Sequence, residues 1–215
     1  MRPRSSASRR LRKKTRSSCL PVAAIVLAAG AAKRMGRLKQ LLPYSGRTLV
    51  QHAVEQAVEA GFTPIIAVVG SDAEAVRKSI AAQPVEITHN SQWQSGMGSS
   101  IAAGVRALRE SGADSAAVAI LLVDQPLVTS HHLKTMRNLL HKSASPIVAA
   151  EYNGTVGVPA LFKRELFAKL ASLAPEAGAR DLLRNSGYDM AAFPLPEAAI
   201  DIDTPEDFAA LTSSA

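Results

Sequence analysis

Residues 22–27 read VAAIVL, and residues 28–43 continue as AAGAAKRMGRLKQLLP. Six consecutive apolar residues with no polar alternation describe a strand buried on both faces. The segment that follows is rich in small residues and carries four cations, Lys33, Arg34, Arg37 and Lys39. Small residues let backbone N–H groups approach an anion closely, and the cationic side chains can close over it. Phosphate is the natural guest. Neither a G-x-G-x-x-G dinucleotide fingerprint nor a G-x-x-x-x-G-K-[ST] phosphate loop occurs in the chain, which sets aside the two commonest nucleotide-binding motifs.

Downstream, apolar runs alternate with helix-period stripes. Strands are expected at Pro64–Gly70, Val85–Thr88, Ala116–Val123 and Pro146–Ala150. Helices are expected at Leu49–Ala60, Ala73–Ala81 (capped by Ser71 and Asp72), Ser99–Glu110 and Ser130–Lys142. Apolar strands separated by amphipathic helices indicate a mostly parallel sheet covered on both faces. Beyond residue 150 the pattern predicts an antiparallel excursion, a return strand near Ala198–Ile202 and a final helix over Pro205–Leu211. In such sheets ligands bind beyond the carboxyl ends of the strands, so the residues just after each strand are the candidates.

The 215 residues suffice for one core, and the sequence predicts one domain over residues 21–215. The formal net charge of +7 is misleading as a nucleic-acid signal. Residues 1–20 hold eight cations and no acid, while the rest of the chain holds 17 Lys and Arg against 18 Asp and Glu. That Arg/Ser-rich tail has too little apolar content to offset its ordering entropy and is expected to be disordered. It reads as a solvated extension, a nonspecific polyanion-binding arm or a targeting peptide. No stretch is long enough to span a membrane, and the single cysteine, Cys19, permits no internal disulfide. Both features suit a cytoplasmic protein.

Three further segments carry chemistry. After Val85–Thr88 comes Asn90-Ser-Gln-Trp-Gln-Ser-Gly96-Met97-Gly98-Ser99-Ser100, where two glycines and two hydroxyls open a helix. Free N–H groups and the helix dipole there favour an anion, although Ser99 or Ser100 can equally be a plain cap, and Trp93 can pack over the site or anchor a surface. After Ala116–Val123 comes Asp124-Gln125-Pro126. An acid ending an apolar strand needs a partner, and Mg²⁺ shared with phosphates is the natural one, with a turn-capping role as the alternative. Near the end, Asp201-Ile202-Asp203-Thr204-Pro205 alternates acid and apolar residues before a helix. On a strand Asp201 and Asp203 would share a face; one can reach a metal, and the other, or Thr204, can cap the helix. The histidines do not form a zinc pattern.

Taken in order, LAAG-x3-RMG-x2-K-x-LLP, GMGSS, DQP, the Gly157-Val158-Pro159 element and DIDTPED resemble the MobA-like nucleotidyltransferase family, most closely its molybdenum cofactor cytidylyltransferases. The resemblance spans about Val22 to Leu211. It implies an α/β three-layer Rossmann-like nucleotidyltransferase fold, with a mostly parallel mixed sheet of about seven strands and helices on both faces. It implies transfer of CMP from CTP to the terminal phosphate of molybdopterin, with Mg²⁺ as cofactor, release of pyrophosphate, and an apo-molybdenum hydroxylase as client. By position, Leu27, Ala28, Ala29 and Gly30 would contact the base and ribose, and Arg34 and Lys39 would hold the triphosphate. Asn90, Gly96, Met97, Gly98, Ser99 and Ser100 would lie near the nucleotide. Asp124 would bind Mg²⁺ with Asp201 or Asp203, while Gln125, Pro126, Gly157, Pro159, Gly178 and Arg180 would face the acceptor. LAAG rather than LAGG resembles the cytidylyl branch. Guanylyl transfer to the same cofactor, nucleotidyl transfer to a sugar or polyol phosphate, and a non-catalytic cofactor carrier are the alternatives.

Overall fold

The computed structural model describes residues 20–31, 35–178, 183 and 187–213. The predicted basic tail up to residue 19, with Arg34 and Arg180, lies outside the described residues.

The opening apolar run is the central strand β1, Val22–Ala28, and every one of its residues is buried. Its period-2 alternation divides the core into two layers. Val22, Ala24, Val26 and Ala28 face one layer, where they meet Val50, Val54 and Ala57 of helix α1, Leu49–Glu59. Ala23, Ile25 and Leu27 face the other, with Ile101, Val105 and Leu108 of α3, Met97–Glu110. Gly104 of α3 packs so closely that an added Cβ would lie 2.6 Å from Ile25 Cγ2.

Two short strands, β2 (Pro43–Tyr44) and β3 (Arg47–Thr48), form a separate hairpin ahead of α1. The remaining strands are β4 (Ile65–Val69), β5 (Glu86–His89), β6 (Ala117–Leu122), β7 (Ile147–Tyr152), β8 (Thr155–Lys163) and β9 (Met190–Pro194). The main sheet has seven strands in the order β5-β4-β1-β6-β8-β7-β9. Only β8 runs against its neighbours in the sheet, and the other pairings are parallel. Helices α2 (Ala73–Ile80), α4 (Ser130–Lys142), α5 (Phe167–Ala171) and α6 (Pro205–Ser213) complete the described helices. This is the expected three-layer, mostly parallel arrangement.

The antiparallel excursion is the β7–β8 hairpin. Asn153 and Gly154 form its two-residue turn, with φ of 51° and 68°, the left-handed pair that such a turn requires. The ladder is interrupted by a bulge: Ala149 pairs with Ala160, but Ala150 pairs with Gly157. Val158 and Pro159 occupy the extra positions, and the Val158 carbonyl, released from the ladder, accepts Gln125 Nε2 at 3.1 Å and the Tyr152 hydroxyl at 3.2 Å.

Two local expectations are corrected. The return strand is Met190–Pro194, whereas Pro196–Ala199 is a 3-10 turn and residues 200–203 are irregular. Asp201 and Asp203 therefore do not share a strand face. Asp72 precedes α2 in a left-handed conformation and makes no side-chain cap bond to it.

Candidate active site

Beyond β1 the chain turns back through the 3-10 helix Lys39–Leu41. In such a turn successive side chains diverge by about 120°. Gln40 points back at the loop, and its Nε2 donates to the carbonyls of Ala28 (3.1 Å) and Gly30 (2.5 Å). Leu42 enters a small cluster with Met35, Leu49 and Ile202. Lys39 crosses to the acids: Nζ lies 2.5 Å from Asp124 Oδ2 and 3.0 Å from Asp203 Oδ1.

Three separate segments thus meet at one ammonium. Asp124 stands just past β6, and the Ile202 N–H donates to the Asp124 carbonyl at 3.0 Å. That bond and the full burial of Ile202 fix the segment that presents Asp203. Burial would lower the Lys39 pKa, but the charges and hydrogen bonds of Asp124 and Asp203 outweigh it and raise it above its ordinary value. The second Asp124 oxygen, Oδ1, is buried with no hydrogen-bond partner. Asp201 is exposed; partial desolvation, then the negative charges of Asp203 and Asp124, raise its pKa. At α6, Thr204 and Asp207 cap reciprocally: Asp207 Oδ2 accepts from the Thr204 N–H at 2.8 Å, and Thr204 Oγ1 accepts from the Asp207 N–H at 3.2 Å. Among the sequence alternatives, Asp203 is the acid that reaches Lys39 and Thr204 is the cap.

Two cavities open on this cluster. One, of about 400 Å³, is lined by Leu27, Ala29, Gly30, Gln40, Trp93 and Ser100 among others. The other, of about 680 Å³, is lined by Gln125, Tyr152, Asn153, Gly178, Asp201 and Asp203 among others. Lys39, Met97, Leu122 and Asp124 line both. Asp124 and Lys39 therefore stand on the shared wall between the two spaces.

Of the residues expected at the nucleotide, Leu27, Ala29, Gly30, Lys39, Gly96, Met97 and Ser100 line the first cavity. Ala28, Asn90, Gly98 and Ser99 do not line it. Ala28 contributes its carbonyl to Gln40. Asn90 is buried, and its Nδ2 donates to Ser99 Oγ (2.8 Å) and Ser100 Oγ (3.0 Å), so it ties the loop to α3 from behind. Ser99 Oγ in turn donates to the Gly96 carbonyl at 2.7 Å. A Cβ on Gly98 would overlap the carbonyl oxygens of Ala174 and Ala177. On the acceptor side, Gln125 and Gly178 line the second cavity. Pro126 and Pro159 do not; they lie together beside His52 and Gln56 at a small recess on the α1 face of the sheet. Gly157 makes room for Tyr152, because a Cβ there would overlap the tyrosine hydroxyl.

Gln40, Tyr152 and Asn153 also line these cavities and are not among the sequence candidates. A polar residue inside the Leu38–Pro43 segment was the available signal for the first. The Asn-Gly pair, which fixes the hairpin tip, was the signal for the other two.

The family profile described as "MobA-like NTP transferase domain" matches residues 24–191. The chain is 35% identical over 199 residues to nicotine blue oxidoreductase of Paenarthrobacter nicotinovorans, covering 86% of this chain and 93% of that one. It is 28% identical over 197 residues to the purine catabolism protein PucB of Bacillus subtilis, covering 86% and 92%. Among solved structures, Rv0371c of Mycobacterium tuberculosis H37Rv superposes with a TM-score of 0.75 at 28% identity over 91% of this chain and all of that one. A manganese complex of the same protein superposes with a TM-score of 0.70 at 26% identity, with the same coverage of both chains.

Proposed function

The chain belongs to the MobA-like NTP transferase family, and from that premise we propose that this nucleotidyltransferase moves CMP from CTP to the terminal phosphate of molybdopterin, releasing pyrophosphate. The observation that carries the reading is the pair of cavities sharing Lys39 and Asp124. A two-substrate transfer needs two binding spaces and a charged wall where their phosphates meet. The nucleotide takes the cavity under the Ala29–Gly30 loop, and the acceptor takes the cavity of Tyr152, Asn153 and Gly178. Ala29 within LAAG favours the cytosine nucleotide.

In the reaction an acceptor phosphate oxygen bonds to the α-phosphorus of CTP, and the bond from that phosphorus to the β-phosphate oxygen breaks. The acceptor is already anionic, so no side chain has to remove a proton. What the protein supplies is position and charge. Lys39, with Arg34, holds the triphosphate and balances the charge that builds on the departing pyrophosphate. The Gln40 carboxamide keeps the Ala28–Gly30 backbone in place beneath the nucleotide.

The residues present suit a divalent cation. Asp124 and Asp203 are hard oxygen donors converging on one point, and Asp124 Oδ1 is a buried acceptor with no partner. Among the described residues no group of three or more His, Cys, Asp or Glu side chains is assembled for a metal. Two carboxylates completed by phosphate oxygens and water are what Mg²⁺ commonly uses. Asp124 and Asp203 would hold the ion, which when bound would neutralise charge between the phosphates. The manganese complex of Rv0371c supports a cation of this type.

The test is to supply Mg²⁺, molybdopterin and each nucleoside triphosphate in turn, and to measure pyrophosphate. Release with CTP alone is expected. Release with GTP alone would mean guanylyl transfer, and release only with a sugar or polyol phosphate would move the acceptor class. Cofactor binding without pyrophosphate would mean a carrier that delivers to a molybdenum hydroxylase. Turnover of nicotine blue without pyrophosphate would instead favour the activity in the name of the 35%-identical relative. No described helix is long and apolar enough to cross a membrane.

A further inference from the structure

Lys39 Nζ stands 2.5 Å from one carboxylate and 3.0 Å from the other of the two that would hold the divalent cation. An ammonium at those distances already satisfies part of the charge that would attract a metal. Its own side chain is only 15% exposed, so the interaction is partly shielded from water. A divalent ion held by the same two carboxylates would stand within a few ångströms of the ammonium, where like charges repel strongly because water screens them only in part. Lys39 also lines both cavities, so a triphosphate in the first cavity offers the ammonium an alternative anion within its reach.

We propose that Lys39 is a resident counter-ion that excludes the divalent cation until the triphosphate arrives. In the nucleotide-free protein the ammonium bridges Asp124 and Asp203 and keeps metal affinity low. When the triphosphate binds, Lys39 transfers to it and vacates the carboxylates. Metal and nucleotide then enter as a coupled pair, each raising the affinity of the other by the same factor. The protein is thereby guarded against filling its site with a bare cation. The inference rests on the two-carboxylate cation site described above, but not on the identity of the base or the acceptor.

The test uses Mn²⁺ alone as probe, with neither nucleotide nor acceptor present, and reads binding by the loss of the free-ion paramagnetic resonance signal. Three full-length proteins are compared: the unaltered chain, Lys39→Gln and Lys39→Arg. Glutamine keeps a hydrogen-bond donor for Asp124 but removes the charge, so the carboxylate is not left stranded in a folded variant. Arginine keeps the cation. Lys39→Gln is expected to bind Mn²⁺ at least tenfold more tightly than the unaltered protein, with Lys39→Arg remaining as weak as the unaltered protein. A gain below tenfold in Lys39→Gln, or an equal gain in Lys39→Arg, overturns the proposal. Because no CTP or molybdopterin is present, either result leaves the transferase reading standing or falling on its own pyrophosphate assay. Should Lys39→Gln not fold, Lys39→Met measured the same way carries the same expectation and the same refutation.

Discussion

Asp124 carries the largest single share of the proposed chemistry, because it faces both cavities and leaves one buried oxygen unpaired. Asp124→Asn preserves its size but removes the charge that draws in both Lys39 and a divalent ion. We expect pyrophosphate release to fall by about 10²- to 10³-fold, the usual range for losing one preorganised electrostatic group. The urea midpoint should barely move, since Asp203 still pairs with Lys39 and the site is partly solvated. Near-normal turnover of that variant would remove Asp124 from the mechanism. Gln40 makes a different kind of contribution. It is buried, and its Nε2 is shared between two loop carbonyls. Gln40→Leu fills similar space but removes the donor from the buried Ala28 carbonyl, at a cost of about 1–3 kcal/mol, and frees the exposed Gly30 from its tie. We expect weaker CTP binding, by about tenfold. Trp93 is the chain's single tryptophan and lines the cavity proposed for the nucleotide, so its fluorescence can follow that binding directly.

At the level of elements, the N-terminus of α3 is built by close backbone packing, not by a side-chain cap. Gly98 abuts the 174–177 segment, and an added methyl group has only backbone to push against. Gly98→Ala should therefore destabilise by about 2–4 kcal/mol in urea unfolding, at the overpacked end of such changes. Helix α1 is tied to the loop after β6 by His52, whose Nε2 lies 2.9 Å from the Pro126 carbonyl and whose ring meets Tyr44 edge-on. Burial holds the His52 pKa below 6.5, against the pull of the Pro126 hydrogen bond. A base whose folded pKa is lowered stabilises the fold above its unfolded pKa and loses that contribution as pH falls through the lowered value. The unfolding midpoint should thus fall on acidification from pH 7 toward 5. His52→Gln, which keeps an N–H for Pro126, should show a shallower fall, and equal slopes would dismiss the histidine. The sequence read these elements unevenly for a physical reason. β1, β4 and β6 are buried on both faces and announce themselves as unbroken apolar runs. Strand β9 is a partly exposed edge whose run, Met190–Pro194, is short, alanine-rich and closed by a proline, so it carries a weaker strand signal than Ala198–Ile202, where the sequence places the return strand. There the apolar signal belongs to Ile202, which plugs a small cluster from an irregular segment. The pairing of Lys39 with Asp124, 85 residues apart, is a product of topology that no local pattern encodes.

At the scale of the whole molecule, the proposed assignment has the sheet sort the two substrates by position. The parallel half, β5-β4-β1-β6, leads into the loops that line the nucleotide cavity, while the antiparallel strand β8 and its partner β7 carry the hairpin that lines the other. Among the strand ends only that of β6, with Leu122 and Asp124, belongs to both, and Lys39 and Met97 join it there. The first half of the chain therefore carries its phosphate-binding signals as local motifs, whereas the side of the second cavity depends on a hairpin tip marked only by Asn153-Gly154 and on a bulge that no local pattern shows. The division also makes the two affinities separable by mutation. Asn153 sits at the hairpin tip with a left-handed backbone, so the replacement must tolerate that turn; Asn153→Gly does so without strain and removes the carboxamide. We expect Asn153→Gly to raise the acceptor KM several-fold, on the scale of one lost hydrogen bond, about 0.5–1.5 kcal/mol. CTP affinity, followed through Trp93, should stay within twofold of the unaltered protein. If CTP binding weakened in step with the acceptor KM, the two cavities would be one site energetically, and the division of labour along the sheet would not hold.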